Sequence, residues 1–287
     1  MFDIDKVCII GGDIRQVYLG ASLAKDGRFV TYYALEKCGD AQPDFADMKI
    51  AVSKCDTVIL PMPLSRDGKT LCTPLSELNI TLDDEFAKLL DGRRVFCANS
   101  SVLTKTGDYS GCRVFDYLER EELAVLNAVP TAEGAIKTAV ELSDRTIHGS
   151  RCLIAGFGRI GKLLARDLSA LGAHVTVSAR KPSDLAWVRA CGYKAVNTAD
   201  IKTSGEYELI FNTIPSIIFD RETLAKTARG AAVIDLASKP GGVDLGACRE
   251  LRIKATAALS LPGKTAPYAA AEIIKETIYN MAREENP

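Results

Sequence analysis

Short apolar runs of strand type alternate along this chain with stretches that read as helix or loop. Residues 6–10, 29–33, 57–60, 95–98 and 113–116 form the runs of the first half, and 151–155, 174–179, 208–211 and 231–236 those of the second. Apolar strands of this length, separated by helical spacing, predict parallel sheets covered on both faces, with ligands at the carboxyl ends of the strands. A helix is expected from Glu119 to Asn127, ended by Pro130, and a longer one from Thr131 to about Ser143. Thr131 would be its N-cap and Glu133 would sit favourably in its first turn. The last apolar helix is expected from Ala269 to about Ala282. The chain therefore reads as α/β, two Rossmann-like domains with parallel sheets linked by interdomain helices. Residues 1–130 with 265–287 would form a discontinuous substrate or partner domain, and 131–264 a nucleotide-binding domain.

The second half carries the stronger motif. Gly156-Phe157-Gly158-Arg159-Ile160-Gly161 follows a strand and precedes the helical spacing of Leu163, Leu164, Leu168 and Leu171. In that context the first glycine makes a tight turn, the second admits a pyrophosphate to the backbone, and the third lets helix pack on strand. The diphosphate then meets the positive N-terminus of the helix, at Arg159, Ile160 and Gly161. The next strand ends at Ser178-Ala179-Arg180-Lys181, where an NAD site would offer an acid to the ribose. A hydroxyl and two cations suit a ribose 2′-phosphate instead, because Arg grips phosphate bidentately and Lys adds a point charge. NADP is the expected cofactor. Thr213-Ile214-Pro215 and Leu236 lie at the strand ends where the nicotinamide ribose would meet the sheet.

The first half opens similarly, with Gly11-Gly12-Asp13-Ile14-Arg15-Gln16 after its first strand. The third glycine is missing, so no second nucleotide is expected. Asp13 with Gln16 fits a capping box. Arg15 is different, because a cation in a first helical turn opposes the macrodipole and invites an anionic partner. Loop residues Ser65, Lys69 and Ser100 offer further hydroxyls and charge, as do Thr131 and Lys264. Any of these could hold a second anionic group. Asp13 and Glu133 are the candidate bases, each with a capping role as the competing reading.

Composition narrows the chemistry. The length, 287 residues, suits two domains, and 36 basic against 37 acidic residues leave no charged block for nucleic acid or an anionic membrane. The N-terminus lacks a basic-then-apolar leader and no run is long enough to span a bilayer, so a cytosolic protein is expected. Nine cysteines without CxxC spacing read as reduced core thiols, and no metal site is expected. His148 and His174 read as edge or packing residues.

Taken together, Gly11-Gly12-Asp13 with Arg15-Gln16, Pro130-Thr131-Ala132-Glu133-Gly134-Ala135, the Gly156–Gly161 fingerprint, Ala179-Arg180, Asn212-Thr213-Ile214-Pro215, Asp235-Leu236-Ala237-Ser238 with Pro240-Gly241-Gly242, and Leu261-Pro262-Gly263-Lys264 with Ala266-Pro267 resemble one family, the A subunit of bacterial dipicolinate synthase. The resemblance covers nearly the whole chain. It implies a 2-hydroxyacid dehydrogenase-like architecture and the NADP-dependent oxidation of dihydrodipicolinate to dipicolinate in the mother-cell cytoplasm of a sporulating bacterium. It also implies action with the flavoprotein-like second subunit of dipicolinate synthase, and a homodimer or hetero-oligomer. In that setting Arg15 is the first choice for a substrate carboxylate. Two other readings stand beside it: an NADP-dependent dehydrogenase or reductase of another small carboxylate, and a non-catalytic nucleotide-binding subunit.

Overall fold

A computed structural model describes residues 4–39, 47–203 and 207–285 of the protein. The chain divides into two compact units, residues 1–127 with 266–287, and residues 128–265.

In the first unit, β1 (Lys6–Ile10), α1 (Ile14–Lys25), β2 (Phe29–Tyr33), α2 (Met48–Ser53), β3 (Thr57–Ile59), α3 (Asp84–Leu89), β4 (Arg94–Cys97), α4 (Leu103–Thr106) and β5 (Arg113–Asp116) follow in order. The five strands are all parallel, in the order β2-β1-β3-β4-β5. One face packs Val52, Leu82, Phe86 and Leu90 under β1, β3 and β4, and the other packs Leu19 and Leu23 of α1. The terminal helix, labelled α11 below, adds Ile274 and Ile278 to that second face. Each such side chain removed from water contributes about 2 kcal/mol.

The chain enters the second unit through α5 (Glu121–Leu142). There follow β6 (Arg151–Ala155), α6 (Arg159–Ala170), β7 (His174–Ala179), α7 (Pro182–Ala190), β8 (Lys194–Asn197), β9 (Leu209–Asn212), α8 (Arg221–Leu224), β10 (Ala232–Asp235), α9 (Leu245–Glu250), β11 (Lys254–Ala257) and α10 (Leu261–Thr265). The chain then returns to the first unit as α11 (Pro267–Glu284). The six parallel strands take the order β11-β10-β9-β6-β7-β8. This is the doubly wound order of dinucleotide-binding sheets, with its reversal between β6 and β9. Leu164, Ala165 and Leu168 of α6 share one core with Ala132, Ala135 and Ala139 of α5. Phe219, Leu224, Ala247 and Cys248 fill the other face.

Two features depart from the sequence reading. Pro130 does not divide two helices: it lies inside α5, which runs unbroken through it. Thr131 is therefore not an N-cap, and Glu133 is a mid-helix residue exposed to solvent, with no first turn to stabilise. A proline ring inside a helix costs about 3 kcal/mol, and burial of the alanine face that follows it offsets this. The second difference is β8 and β11, which no apolar run announces.

Candidate functional site: two strand-end crevices

In the second unit the reversal of strand order opens a crevice between the ends of β6 and β9. Gly156 turns the chain with φ +101°, a conformation that favours glycine, and a Cβ there would meet the Thr213 Oγ1 at 2.3 Å. Thr213 is held in turn, its hydroxyl donating to the Ala155 carbonyl at 2.8 Å. Gly161 lies so close under the turn that a Cβ would stand 2.1 Å from the Gly156 carbonyl oxygen. Gly158 is the opposite case. It is the N-cap of α6 without any side-chain hydrogen bond, and a Cβ there would meet nothing within 4 Å. The first turn of α6 holds no acidic residue, so no side-chain carboxylate offsets the positive end of the helix there. An uncapped helix start beside an open glycine fits a nicotinamide dinucleotide's pyrophosphate, at the Gly158, Arg159, Ile160 and Gly161 expected from the sequence to receive it.

The walls of this crevice are rigid. Asn212 and Asp235, the last residues of β9 and β10, are both buried, and the Asn212 Nδ2 donates to the Asp235 carboxylate at 2.8 Å. Asn212 also grips the Ile214 peptide from both sides, at 3.0 and 3.1 Å. Asp235 accepts from the Ala237 and Gly242 N–H groups, at 3.2 and 2.9 Å. Four backbone groups and two side chains are thereby satisfied in one network, which fixes Thr213, Ile214 and Leu236 at the strand ends assigned to the cofactor. Pro215 is exposed beyond them. At the end of β7, Arg180 and Lys181 are exposed. Ser178 is not: it is fully buried, and its hydroxyl accepts a 3.4 Å bond from Thr198, which leaves it facing the protein rather than a ribose phosphate. All of β7 after His174 is buried, and the sequence reading missed that Ser178 is part of it.

The first unit reverses its strand order between β1 and β3. Asp13 caps α1 in a complete capping box with Gln16. Arg15 is buried, with 5% of its surface exposed, and its Nε and Nη2 bind the two Asp13 oxygens at 2.9 and 2.8 Å. Nη2 also donates to the Met62 carbonyl, joining the loops after β1 and β3. The invited anion is thus, in part, the cap residue of Arg15's own helix. Ser65 donates to Asp67 and accepts from the Gly68 N–H, both at 2.9 Å, within a turn that Asp67 organises. Hydrogen bonds from Thr70 and Lys69 hold the Asp67 carboxyl well below the usual carboxylate range. Lys69 is exposed at the tip of that turn. The Ser100 N–H is tied to Asp116 at 2.6 Å, beside the end of β4. Thr131 and Glu133 lie on α5, and Lys264 is exposed on α10, all in the second unit. Burial pushes the Cys97 and Cys152 thiols up to about 12, which keeps both protonated. His148 and His174 are exposed. Among the described residues no cluster of His, Cys, Asp and Glu could hold a metal ion, and no helix is long and apolar enough to cross a membrane.

Two doubly wound parallel sheets and a Gly156–Gly161 crevice built for a dinucleotide define a dehydrogenase-like, nicotinamide-nucleotide-binding protein. Residues 129–240 match the NAD-binding domain of D-isomer-specific 2-hydroxyacid dehydrogenases, and residues 6–118 match the N-terminal domain of the dipicolinate synthase A subunit. The dipicolinate synthase A subunit of Bacillus subtilis (strain 168) is 30% identical over 97% of this chain and 96% of its own. The chain belongs to the family of dipicolinate synthase A subunits. A crystal structure of the family's Bacillus halodurans member superposes with a TM-score of 0.86 at 28% identity, covering 98% of this chain and 99% of the other. One from Bacillus subtilis gives 0.83, also at 28% identity, over 99% and 97%.

Proposed function

We propose that the protein oxidises dihydrodipicolinate to dipicolinate with NADP, together with a flavoprotein-like second subunit, in the mother-cell cytoplasm of a sporulating bacterium. The observation that carries this reading is the uncapped, sterically open Gly158 start of α6, followed one strand later by exposed Arg180 and Lys181, in a chain of this family. When bound, the oxidised nicotinamide supplies a hydride acceptor. The chain's residues do the rest. Gly158 and the first turn of α6 receive the pyrophosphate, Arg180 and Lys181 receive the ribose 2′-phosphate, and the Asn212–Asp235 network holds the strand ends at the nicotinamide side. The crevice of the first unit takes the substrate's carboxylates. Loss of a hydride and a proton from a dihydropyridine gains aromaticity, so orientation and charge complementarity are the main demands and a strong base is not required. Asp13 and Glu133 are the candidate proton acceptors.

The test is turnover of freshly generated dihydrodipicolinate by the full chain with NADP, in the presence or absence of the flavoprotein-like partner, following the reduced nicotinamide and dipicolinate together. Equal amounts of both products are expected. Absence of dipicolinate in both mixtures would overturn the reading. NADP preference is tested separately by Arg180→Asp, which should weaken NADP at least about tenfold, near 1.4 kcal/mol, while changing NAD binding far less. Equal losses for both nucleotides would make Arg180 a solvated surface residue.

A further inference from the structure

Among the described residues only two charged side chains are buried, Arg15 in the first unit and Asp235 in the second. Their surroundings differ. Arg15 lies in a mouth that its own chain closes, with the Gly12 N–H donating to the Cys72 carbonyl at 2.8 Å, and Asp13 balances its charge. Asp235 has no such balance. Its Oδ1 accepts from the Asn212 Nδ2 and the Ala237 N–H, and its Oδ2 from the Gly242 N–H. All three partners are neutral donors, which suits an ionised carboxylate, and no Lys, Arg or His among the described residues pairs with it. Three N–H bonds satisfy the oxygens, but they leave a net negative charge in a medium of low polarity. A positive group on a ligand nearby would recover part of that cost.

The sheet shows where such a group would lie. Ala155, Asn212 and Asp235 stand in register at the ends of β6, β9 and β10. Gly156 follows Ala155, so with neighbouring strands about 4.8 Å apart Asp235 is about 10 Å across the sheet from the pyrophosphate turn. It lies on the side away from β7, the strand that leads to Arg180. A dinucleotide spans the reversal of strand order, which leaves β9 and β10 for its nicotinamide half. The turn after β10 is pressed onto the carboxylate: a Cβ at Gly241 would stand 2.8 Å from its Oδ2, and one at Gly242 2.3 Å from the Asn212 Nδ2. Only 4% of Asp235 is exposed, so little water screens its charge.

We propose that Asp235 is the electrostatic partner of the oxidised nicotinamide ring, acting through its field rather than by contact, and that it sets the crevice's preference for oxidised over reduced cofactor. The oxidised ring is positively charged and the reduced ring is neutral, so only the first is drawn to a buried carboxylate. The reduced product gains nothing from Asp235 and leaves more readily. The inference rests on the NADP reading of the preceding section for the choice of cofactor pair, and on no assumption about the substrate.

The experiment is calorimetric titration of the full chain and its Asp235→Asn variant with NADP⁺, NADPH, NAD⁺, NADH and 2′-phospho-ADP-ribose, which lacks the nicotinamide. Wild-type protein should bind NADP⁺ at least about tenfold more tightly than NADPH. That ratio should hold from low to high salt, because a buried charge is screened little, even as contacts to the 2′-phosphate weaken. In Asp235→Asn the ratio should fall toward unity through lost NADP⁺ affinity, with 2′-phospho-ADP-ribose bound within about twofold of wild type. A merely structural role would weaken all of these ligands alike. An Asp235→Asn protein that keeps the wild-type ratio overturns the proposal. So does wild-type protein with no preference for NADP⁺, or with one that vanishes at high salt, and these two wild-type outcomes decide the matter should the variant fail to fold. Tighter binding of the NAD⁺ and NADH pair would overturn the NADP reading alone, and the ratio within that pair would then test Asp235.

Discussion

Gly158 and Gly161 are chemically identical and three residues apart, yet their surroundings assign them opposite burdens. At Gly158 an added methyl meets empty space; at Gly161 it would lie 2.1 Å from a backbone oxygen that cannot move without the turn. Gly158→Ala should therefore fold with an unchanged melting temperature and bind NADP at least about tenfold more weakly, since the methyl stands where the pyrophosphate approaches. Gly161→Ala should lower the melting temperature itself, by several degrees, through steric overlap of the kind that costs about 1–3 kcal/mol. Thermal melts and NADP titration of the two variants check both outcomes. The spacing of these glycines was legible because each has a geometric duty. Ser178 was not legible as a buried residue, because its cover comes from segments far away in sequence, with Thr198 of the stretch after β8 bonded to its hydroxyl. Arg15 was legible as a cation in need of an anion, but its neighbour Asp13 had already been assigned to the cap, and bidentate pairing between residues two apart leaves no mark in a sequence.

Helices and strands show where local signals fail. Pro130 carries the strongest helix-breaking signal of the region, and α5 continues through it because its alanine face is buried against β6 and α6. Gly134, four residues on, looks equally misplaced in a helix. Its reason is α10: a Cβ at Gly134 would come 2.6 Å from the Thr265 Oγ1 and 3.1 Å from the Leu261 Cβ. Intrinsic propensity favours Gly134→Ala by about 1 kcal/mol, whereas the contact with α10 opposes it. The overlap is expected to win, because the Leu261 Cβ belongs to the stem of a buried side chain, so the variant should melt lower than the wild type. A higher melting temperature would show that α10 yields. The two strands that sequence patterning overlooked, β8 and β11, are the two edges of the second sheet. An edge strand has one neighbour and partial cover, so Lys194-Ala-Val-Asn197 and Lys254-Ala-Thr-Ala257 need little apolar content, and their lysines suit an open edge.

At the scale of the molecule, the two units use related sheets with different strand orders, 2-1-3-4-5 in the first when its strands are counted along the chain and 3-2-1-4-5-6 in the second. Alternation of strand and helix made the parallel sheets legible, and the glycine fingerprint located the nucleotide crevice. Strand order and the packing of long loops were hidden, because they depend on contacts between segments far apart in sequence. A ligand that binds only one unit stabilises only that unit, by about 2.7 kcal/mol at a hundredfold excess over its dissociation constant. In calorimetric melting, added NADP should therefore raise the transition of residues 128–265, and any separate transition of the remainder should stay in place. A uniform shift of all heat absorption would mean that the units melt as one.

The hydrogen bond from Gly12 to the Cys72 carbonyl also fixes how the protein counts its ligands. A chain with two glycine-turned strand ends resembles a vessel for two nucleotides, but one of its mouths has been stoppered from within. Equilibrium dialysis against rising NADP should therefore saturate at one molecule per chain.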